Sequence, residues 1–465
     1  MNSLQVSPSP ALYPPTVEPA ERELPLGRFL WEFVQNPLRA LPAAVYNDPI
    51  VVYRPRGTIG VCWITGPELI EGILSDRSGL YRKTYLEERV LHRAMGTGVL
   101  TSEGDDWLWQ RRILAPLFRH FELLSYVPTM VDAAQVEIGR WNANPSPTRA
   151  IDAAMVDVTF RVIARTMLAG GEPAEGELLK RAGARYLGFV PLEMVAVMLR
   201  LPRWVPHPGN IGLAMAARQM RRAVGRIIAR RRGLDDVGPT GDGDLLGRLL
   251  AARHPETGAP MSDARLIDNL LTLLEAGHET TARALTWALY LLARAPDWQE
   301  RVRAEVEDVT GGAPVAPDHI DRLAITERVI KEAMRLYPPA PVVARSPTRA
   351  IEIRGWQLPA HSEIVIPIFA VHRHRSLWDD PNRFDPDRFL PERECGYSRT
   401  QYMPFGAGPR ICLGMSFAMI EAKALLATFV RKAHFEWDGR HLPEPVSRIT
   451  LRPKGGMPLR VTMRS

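Results

Sequence analysis

Cysteine is scarce in this sequence, which contains only Cys62, Cys395 and Cys412 among 465 residues. No two of them form a C-x-x-C pair, so the chain has neither the thiol spacing of a zinc site nor the thiols for a disulfide framework. Proteins of reducing compartments have this kind of composition. The sequence therefore predicts a cytoplasmic protein without structural disulfides.

Long uncharged apolar runs are also missing. A membrane span needs about 20 nearly uncharged residues, and the N-terminus lacks the basic start and apolar core of a signal peptide. The most apolar segment, residues 266–293, is interrupted by Asp268, Glu275, His278, Glu279 and Arg283. We expect no membrane anchor, a buried core helix in this segment, and a flexible proline-rich leader at residues 1–25.

No block of like charges stands out, because the net charge of +7 is spread along the chain. This distribution argues against nucleic-acid binding. A content of 46% apolar and 24% charged residues is typical of a globular protein. Since no fixed-period repeat and no linker divide the chain, we expect one domain over residues 26–465.

Helical periodicity dominates what is present. Apolar residues recur at helical spacing from about residue 67 to residue 313. Strand patterns mark "IVVYRPRGTIGVCWITGP" near the N-terminus, residues 351–368, and a final hairpin in "ITLRPKGGMPLRV". The fold class is therefore mainly α with minor β. The apolar segment 186–206, which two prolines interrupt, fits either a core segment or a lid over a substrate.

One short stretch, "FGAGPRICLG" at residues 405–414, combines three glycines with a lone cysteine. Inert packing is the ordinary explanation for a lone cysteine. Here the glycines permit a tight turn, and a helix begins directly after the sulfur. Backbone N–H groups and the nearby Arg410 would stabilise a thiolate that can bind a metal. A single thiolate cannot complete a zinc site, but it suffices as an axial ligand of haem iron.

The residues of this stretch carry a specific resemblance. Its fixed positions match F-x-x-G-x-R-x-C-x-G, so the chain resembles the cytochrome P450 family; they are Phe405, Gly408, Arg410, Cys412 and Gly414. The resemblance implies a helix-rich P450 fold with haem b buried between a long central helix and the cysteine loop. It also implies that the Cys412 thiolate is the axial iron ligand, that Phe405 lies against it, and that Arg410 pairs with a haem propionate.

A second segment, "AGHETT" at residues 276–281, resembles the family's A-G-x-D/E-T-T motif. A glycine in mid-helix, and threonine hydroxyls that bond back to carbonyls, predict a helix that is bent or widened at Gly277. The resemblance implies that Glu279 and Thr280 deliver protons for dioxygen activation. His278 occupies the variable position of the motif, and we interpret it as structural.

Further arginines complete the resemblance. "DDWLWQRR" places Trp107 and Arg111 four residues apart, as in the family's W-x-x-x-R helix, which implies that they hold one haem propionate. Arg345 lies where the family usually supplies another propionate partner. Two anionic propionates in a buried pocket require such cations.

"TERVIKEAMRLYPP" contains an E-x-x-R pair, Glu332 and Arg335, on one helical face. Alone this signal is weak, because exposed pairs at this spacing are common and contribute little. The later "FDPDRF" resembles the family's meander motif, which implies that Arg388 completes a buried Glu332–Arg335–Arg388 network. That network would be a fold element and not a catalytic one.

The substrate is predicted only by class. The resemblance points to pocket walls in the loop around residues 89–99 and at Ala276, Ala340, Val342 and Ile449. These positions are mostly small or apolar, so we expect a hydrophobic small molecule such as a fatty acid, a terpenoid or an aromatic compound. Arginines near the pocket leave a carboxylate anchor open.

The leading functional hypothesis is a bacterial-type haem-thiolate monooxygenase that uses dioxygen. Its two electrons would come from a ferredoxin or flavodoxin-type protein with its reductase, and an acidic donor would dock on the basic side near Cys412. A peroxide-driven or isomerising haem-thiolate enzyme is the alternative, although such members commonly lack the acid–alcohol pair that Glu279 and Thr280 supply. A haem-based sensor or carrier is a second alternative, but it would normally carry an output domain.

Overall fold

The structure of the protein is a computed structural model. The structure describes residues 11–53, 60–167, 173–198, 201–202, 204–233, 245–254 and 257–464. Residues 1–10 of the expected leader, 54–59 of the N-terminal hairpin, and 199, 200 and 203 of the segment 186–206 lie outside these ranges.

Helices make up most of the described chain, and the expected fold class, mainly α with minor β, is confirmed. Within the described ranges, no helix is long and apolar enough to cross a membrane. The helices are α1 Leu26–Gln35, α2 Pro67–Leu74, α3 Tyr85–Met95, α4 Gly104–Leu114, α5 His120–Leu124, α6 Val127–Ala143, α7 Ile151–Met167, α8 Pro173–Met198, α9 Pro208–Gly233, α10 Leu245–Ala251, α11 Asp263–Arg294, α12 Pro296–Thr310, α13 Ala324–Leu336, α14 Ile368–Val371, α15 Pro391–Glu394 and α16 Met415–Lys432.

Short strands form small sheets beside the helical body. The five-stranded sheet has the order β1-β2-β8-β5-β3, and the others are β4-β12-β9, β10-β11 and β6-β7. The strands are β1 Ile50–Tyr53, β2 Val61–Ile64, β3 Tyr81–Arg82, β4 Thr148–Ala150, β5 Val343–Pro347, β6 Ile351–Ile353, β7 Trp356–Leu358, β8 Glu363–Ile366, β9 Ala433–Glu436, β10 Pro445–Ser447, β11 Leu451–Pro453 and β12 Pro458–Met463. The antiparallel β1–β2 pair and the strands within 351–368 lie where the sequence predicts them.

The predicted C-terminal hairpin is wrong. β11 pairs with β10, whereas β12 pairs with β4 and β9. Gly455 and Gly456 between β11 and β12 both have φ of +82°. The turn that these left-handed residues form sends β12 to a different sheet, where Arg460 lies opposite Glu436.

The N-terminal segment is attached to the body from residue 11 onward, which differs from the expected flexible leader. Ala20 forms a parallel bridge with Pro42, and the Tyr337 hydroxyl donates to the Pro15 carbonyl at 2.6 Å. Val17 is buried in the main core. Prolines exclude a helix here, but an extended chain can still fill a groove on the helical body.

The long helix α11 runs through the core. Its N-terminus is capped by Ser262, whose hydroxyl accepts the Arg265 N–H at 3.4 Å. Trp287 is fully buried and stacks on Tyr337, with ring centres 3.8 Å apart. These contacts hold α11 in place in the core, and the candidate site residues described below are arranged around it.

Candidate functional site

The cysteine loop is held in a tight turn before α16. The Cys412 N–H donates to the Phe405 carbonyl at 2.9 Å. Gly408 has φ of +71°, and a Cβ here would lie 2.2 Å from the Leu74 carbonyl oxygen. A side chain at this position would strain the backbone and collide with α2. The glycine thus lets the loop approach α2 closely.

Cys412 has an accessible side chain, whereas Cys62 is buried. Burial raises the pKa of the Cys412 thiol, while the Gly414 N–H and the charge of Arg111 act in the opposite direction. The Cys412 thiol is accessible, yet its pKa is raised by burial. Both observations fit a thiol that faces a space enclosed by protein. The unliganded thiol is therefore mainly protonated at neutral pH, and a bound metal ion would deprotonate it. Arg111, and not Arg410 as expected, is the arginine whose charge acts on this thiol.

Arg410 faces away from the sulfur toward the start of α4. It donates to the Ser102 carbonyl at 3.0 Å and pairs with Glu103 at 2.8 Å. Its guanidinium carbon lies 4.4 Å from the ring centre of Trp107. Arg345 on β5 forms no ion pair within the part of the chain that the structure describes.

Lys83 is a cation near these arginines that the sequence reasoning missed. Its Nζ is buried and has no hydrogen-bond partner among the described residues. Burial lowers the pKa of Lys83 to about 8; Arg410 and Arg345 act in the same direction, and Glu87 and Glu103 oppose them. A buried, unpartnered ammonium group beside arginines needs an anion. The propionates of a haem would be suitable anions. In the sequence, the lysine of "YRKT" matches no motif, so nothing there marks it as a binding residue.

Ala276 and Thr280 form an open face in the middle of α11. Ala276 is exposed and Thr280 is half-buried, although the helix is buried on both sides of this stretch. The Thr280 hydroxyl donates to the Ala276 carbonyl at 2.7 Å. Because residues four apart lie on one side of a helix, both face the same space.

The helix is not widened at Gly277, which excludes one of the two expected distortions, bending or widening. α11 is hydrogen-bonded as an α-helix from Asp263 to Arg294. A Cβ on Gly277 would lie 2.5 Å from Cδ1 of Ile163. The glycine is therefore explained by the close packing of α7 on α11, and the helix tolerates the back-bonding of its threonines.

Glu279 points into a group of cations. Its carboxylate accepts from Arg283 at 2.8 Å, from Arg452 at 2.9 Å and from the Thr450 hydroxyl at 2.9 Å. Burial acts to raise the pKa of Glu279, but the charges of Arg283 and Arg452 outweigh it and hold the pKa below its usual value. Glu279 is therefore ionised at neutral pH, one helical position away from the open face.

His278 is buried and its Nδ1 lies 2.7 Å from the Leu274 carbonyl. The Phe160 ring meets the imidazole edge-on at 5.3 Å. Burial lowers the pKa of His278, so the ring is neutral. These contacts account for the residue by packing.

Glu421 on α16 is a buried acid that the sequence reasoning also missed. Burial raises its pKa to about 8, and the nearby Thr281 hydroxyl acts in the opposite direction. Neither of its oxygens has a well-formed hydrogen bond within the described residues. In the sequence, Glu421 is an ordinary glutamate in a helical segment. Only the fold shows that it lies beside α11.

The predicted pocket residues near the C-terminus are brought to α11 by the β10–β11 hairpin. The Trp287 Nε1–H donates to the Leu451 carbonyl at 3.3 Å, and the Leu451 N–H donates to the Pro339 carbonyl at 3.0 Å. These bonds fix the hairpin between α11 and the segment before β5. The predicted wall residues in this region are half-buried: Ala340, Val342 and Ile449.

The predicted loop at residues 89–99 is a loop only in its last part, because α3 extends to Met95. Arg89 is buried, pairs with Glu193 on α8 at 2.6 Å, and donates to the Leu201 carbonyl at 2.6 Å. These bonds join α3 to the segment 186–206. Nη2 of Arg89 is buried and has no hydrogen-bond partner within the described residues, so this arginine still has a free donor.

The E-x-x-R pair lies in the core. Arg335 makes two bonds to Glu332, at 2.6 and 2.8 Å, and the side chains of both residues are fully buried. Arg388 lies 3.7 Å from the same carboxylate. Arg335 also donates to the backbone carbonyls of His372, Pro381 and Arg383. The three residues thus meet, and they tie α13 to the chain at 372–388.

Comparison with known proteins places this geometry in a family. The family model described as "Cytochrome P450" matches residues 47–459. Cyclooctatin synthase of Streptomyces melanosporofaciens is 33% identical over 94% of this chain and 92% of its own length. Cyclooctat-9-en-7-ol 5-monooxygenase of the same organism is 30% identical over 94% of each chain.

A solved structure agrees with these relatives. The crystal structure of the cytochrome P450DA haem domain superposes with a TM-score of 0.81, at 25% identity and over 98% of both chains. The chain therefore belongs to the cytochrome P450 family, and it is a P450 monooxygenase with a cysteine-ligated haem.

Proposed function

We propose that this monooxygenase oxygenates a hydrophobic, cyclic small molecule and receives its electrons from a separate ferredoxin or flavodoxin-type protein. The observation that carries the proposal is the pairing of an accessible Cys412 thiol with an open α11 face at Ala276 and Thr280. In this proposal both border the space that the haem would occupy. When bound, the haem supplies dioxygen activation and insertion of one oxygen atom, and the other oxygen atom is reduced to water.

The chain's own residues hold the cofactor. Cys412 would ligate the iron, and the Phe405 carbonyl, which accepts the Cys412 N–H, fixes the loop that carries the sulfur. A group of half-buried cations would bind the propionates, and the indole N–H of a tryptophan would add a neutral donor. These propionate-binding residues are Lys83, Arg111, Arg345 and Arg410, with Trp107 as the neutral donor.

Protons reach the open face from α11. The Thr280 hydroxyl lies on the face where the reaction takes place, and there it holds a water molecule. Glu279 is the charged reservoir behind it, and it exchanges protons when its ion pairs with Arg283 and Arg452 loosen.

The substrate class follows from the cavity walls. Ala276, Ala340, Val342 and Ile449 offer small apolar surfaces, which suit a hydrocarbon-like skeleton. The name of one relative gives cyclooctat-9-en-7-ol as its substrate, an unsaturated cyclic alcohol. We favour the terpenoid class over fatty acids, because the walls are apolar and the substrate in the name of that relative is cyclic.

An acidic electron donor docks on the side of the cysteine loop. The exposed Arg112 on α4 and Arg119 after it flank this side, and Phe118 lies 4.0 Å from the position of a Cβ on Gly414. Positive charge around an exposed apolar residue such as Met415 suits an acidic partner. The proposed setting is the bacterial cytoplasm.

The test compares two cysteine variants. Cys412→Ser is expected to lose the red-shifted carbon-monoxide absorption band of a thiolate-ligated ferrous haem, because the serine hydroxyl is not a thiolate ligand. Cys395→Ser is the matched control, since Cys395 is also an exposed free cysteine, and it is expected to keep the band. Survival of the band in Cys412→Ser would contradict the assignment.

A further inference from the structure

Glu275 is an acid on α11 that no part of the proposed mechanism uses. It lies directly before Ala276, the exposed residue of the open face, and it is itself half-buried. Both of its carboxyl oxygens lie 2.9 Å from the position of a Cβ on Gly183. The side chain therefore points from α11 toward α8, at the boundary of the same open face.

No side chain of the described protein satisfies this carboxyl group. Glu275 has no hydrogen bond or ion pair within the described ranges. The hydroxyl of Tyr186, on the same helix as Gly183, donates to the Val90 carbonyl instead. The arginines near Glu279 are already paired with that residue. The carboxyl group is half-buried and borders the open face, so a molecule bound in that space would supply the partner that the protein does not.

We propose that Glu275 is a specificity-determining residue that hydrogen-bonds a hydroxyl group on the otherwise apolar substrate. This inference rests on the proposed function, since it places the hydroxyl in the same cavity, and it narrows the substrate class to apolar alcohols.

A hydroxyl fits better than other polar groups. Burial, with the Glu279 charge adding to it, raises the pKa of Glu275 to about 8. A neutral carboxyl group both donates and accepts, as does a hydroxyl. A substrate carboxylate would be repelled by the charge of Glu279, and an amine would require two desolvated charges. A hydrocarbon would leave Glu275 without a partner.

The binding test uses one skeleton with different substituents. Purified haem-loaded enzyme is titrated with decalin, 2-decalol, 2-aminodecalin and decalin-2-carboxylate, and the haem spin-state shift gives each affinity. The wild type is expected to bind 2-decalol at least about tenfold more tightly than decalin, because a site built to bond a hydroxyl rejects the analogue that lacks it. Glu275→Leu should reduce this ratio to near one, and Glu275→Gln should keep most of it. Glu177→Leu, at an exposed acid on α8, is the control that should leave the ratio unchanged.

A second measurement needs no ligand. Glu275→Leu is expected to raise the thermal midpoint of the ligand-free protein, because it replaces an unpartnered polar group by an apolar one of similar size. A lower midpoint would mean that the carboxyl group has a structural partner, and it would overturn the inference.

The inference is also overturned if Glu275→Leu leaves the wild-type affinity ratio unchanged, if the wild type lacks a preference for 2-decalol over decalin, or if it prefers the amine or the carboxylate. Failure of the proposed function itself looks different. In that case the carbon-monoxide band would survive in Cys412→Ser, whatever the decalin series gives.

Discussion

At the scale of single residues, the two neighbours Glu279 and Thr280 have different surroundings. Glu279 is buried among cations, and Thr280 lies on the open face with its hydroxyl bonded to Ala276. The sequence motif presents them as one acid–alcohol pair. The structure separates a charged residue behind the helix from a hydroxyl at the cavity, so their variants should behave differently.

Thr280→Ala should uncouple the enzyme without unfolding it. The substitution removes one hydroxyl whose bond is local, so haem content should stay close to wild type. Loss of the water held at the open face should misdirect protons, and peroxide released per reducing equivalent should rise several-fold. The measurement is peroxide yield during consumption of a reduced donor.

Thr280→Ser is the control for this change, because it keeps the hydroxyl and should keep the low peroxide yield. An unchanged peroxide yield in Thr280→Ala would contradict the proposed role of Thr280. Thr281, which lies beside Glu421, would then be the next residue to test.

The residues of the site differ in how far the sequence could predict them. Cys412, Thr280 and Glu332 lie in motifs with several fixed positions, so the sequence names each of them as a candidate. Lys83 and Glu275 were missed as site residues because neither type is unusual at a helix boundary or in a helix. Lys83 is distinguished by a buried Nζ without a partner, and Glu275 by its place beside the open face without a protein partner. Both features depend on the whole fold.

At the scale of elements, local pattern predicted the helices and most strands but not every pairing. The final "ITLRPKGGMPLRV" has two strand-like runs around two glycines, which is also the pattern of a hairpin. In the structure each run pairs with a strand from elsewhere in the chain. Strand pairing over long sequence distances is decided by packing, which a local pattern does not contain.

Arg335→Ala tests how α13 is joined to the chain at 372–388. The variant leaves Glu332 charged and buried and removes donors to several carbonyls, so it should destabilise the protein by about 3–5 kcal/mol. We expect little soluble haem-loaded protein, measured as the ratio of haem absorbance to protein.

Arg303→Ala is the matched control, because Glu300 and Arg303 on α12 have the same E-x-x-R spacing, but Glu300 is exposed and Arg303 is only half-buried. It should cost less than about 1 kcal/mol. Similar haem loading in the two variants would contradict a structural role for the buried pair.

At the scale of the whole molecule, residues of the expected flexible leader contact the body from residue 12 onward. Proline content excludes a helix, but it does not exclude contacts of an extended chain with the body. The absence of a helix therefore does not imply flexibility. The Phe384 N–H donates to the Leu12 carbonyl at 2.9 Å, and the Tyr53 hydroxyl donates to the Leu24 carbonyl at 2.8 Å. These bonds tie the segment to distant parts of the body.

A chain that begins at residue 26 should therefore be less stable than one that begins at residue 11. Truncation removes the buried Val17 side chain and strands the partners of Ala20 and Pro15. Burial of one valine contributes about 1.5 kcal/mol, and each lost hydrogen bond about 1 kcal/mol. The loss should appear as a lower thermal midpoint by circular dichroism at equal haem loading. The chain starting at residue 11 is the reference because it keeps every contact named here, and equal midpoints would restore the boundary at residue 26.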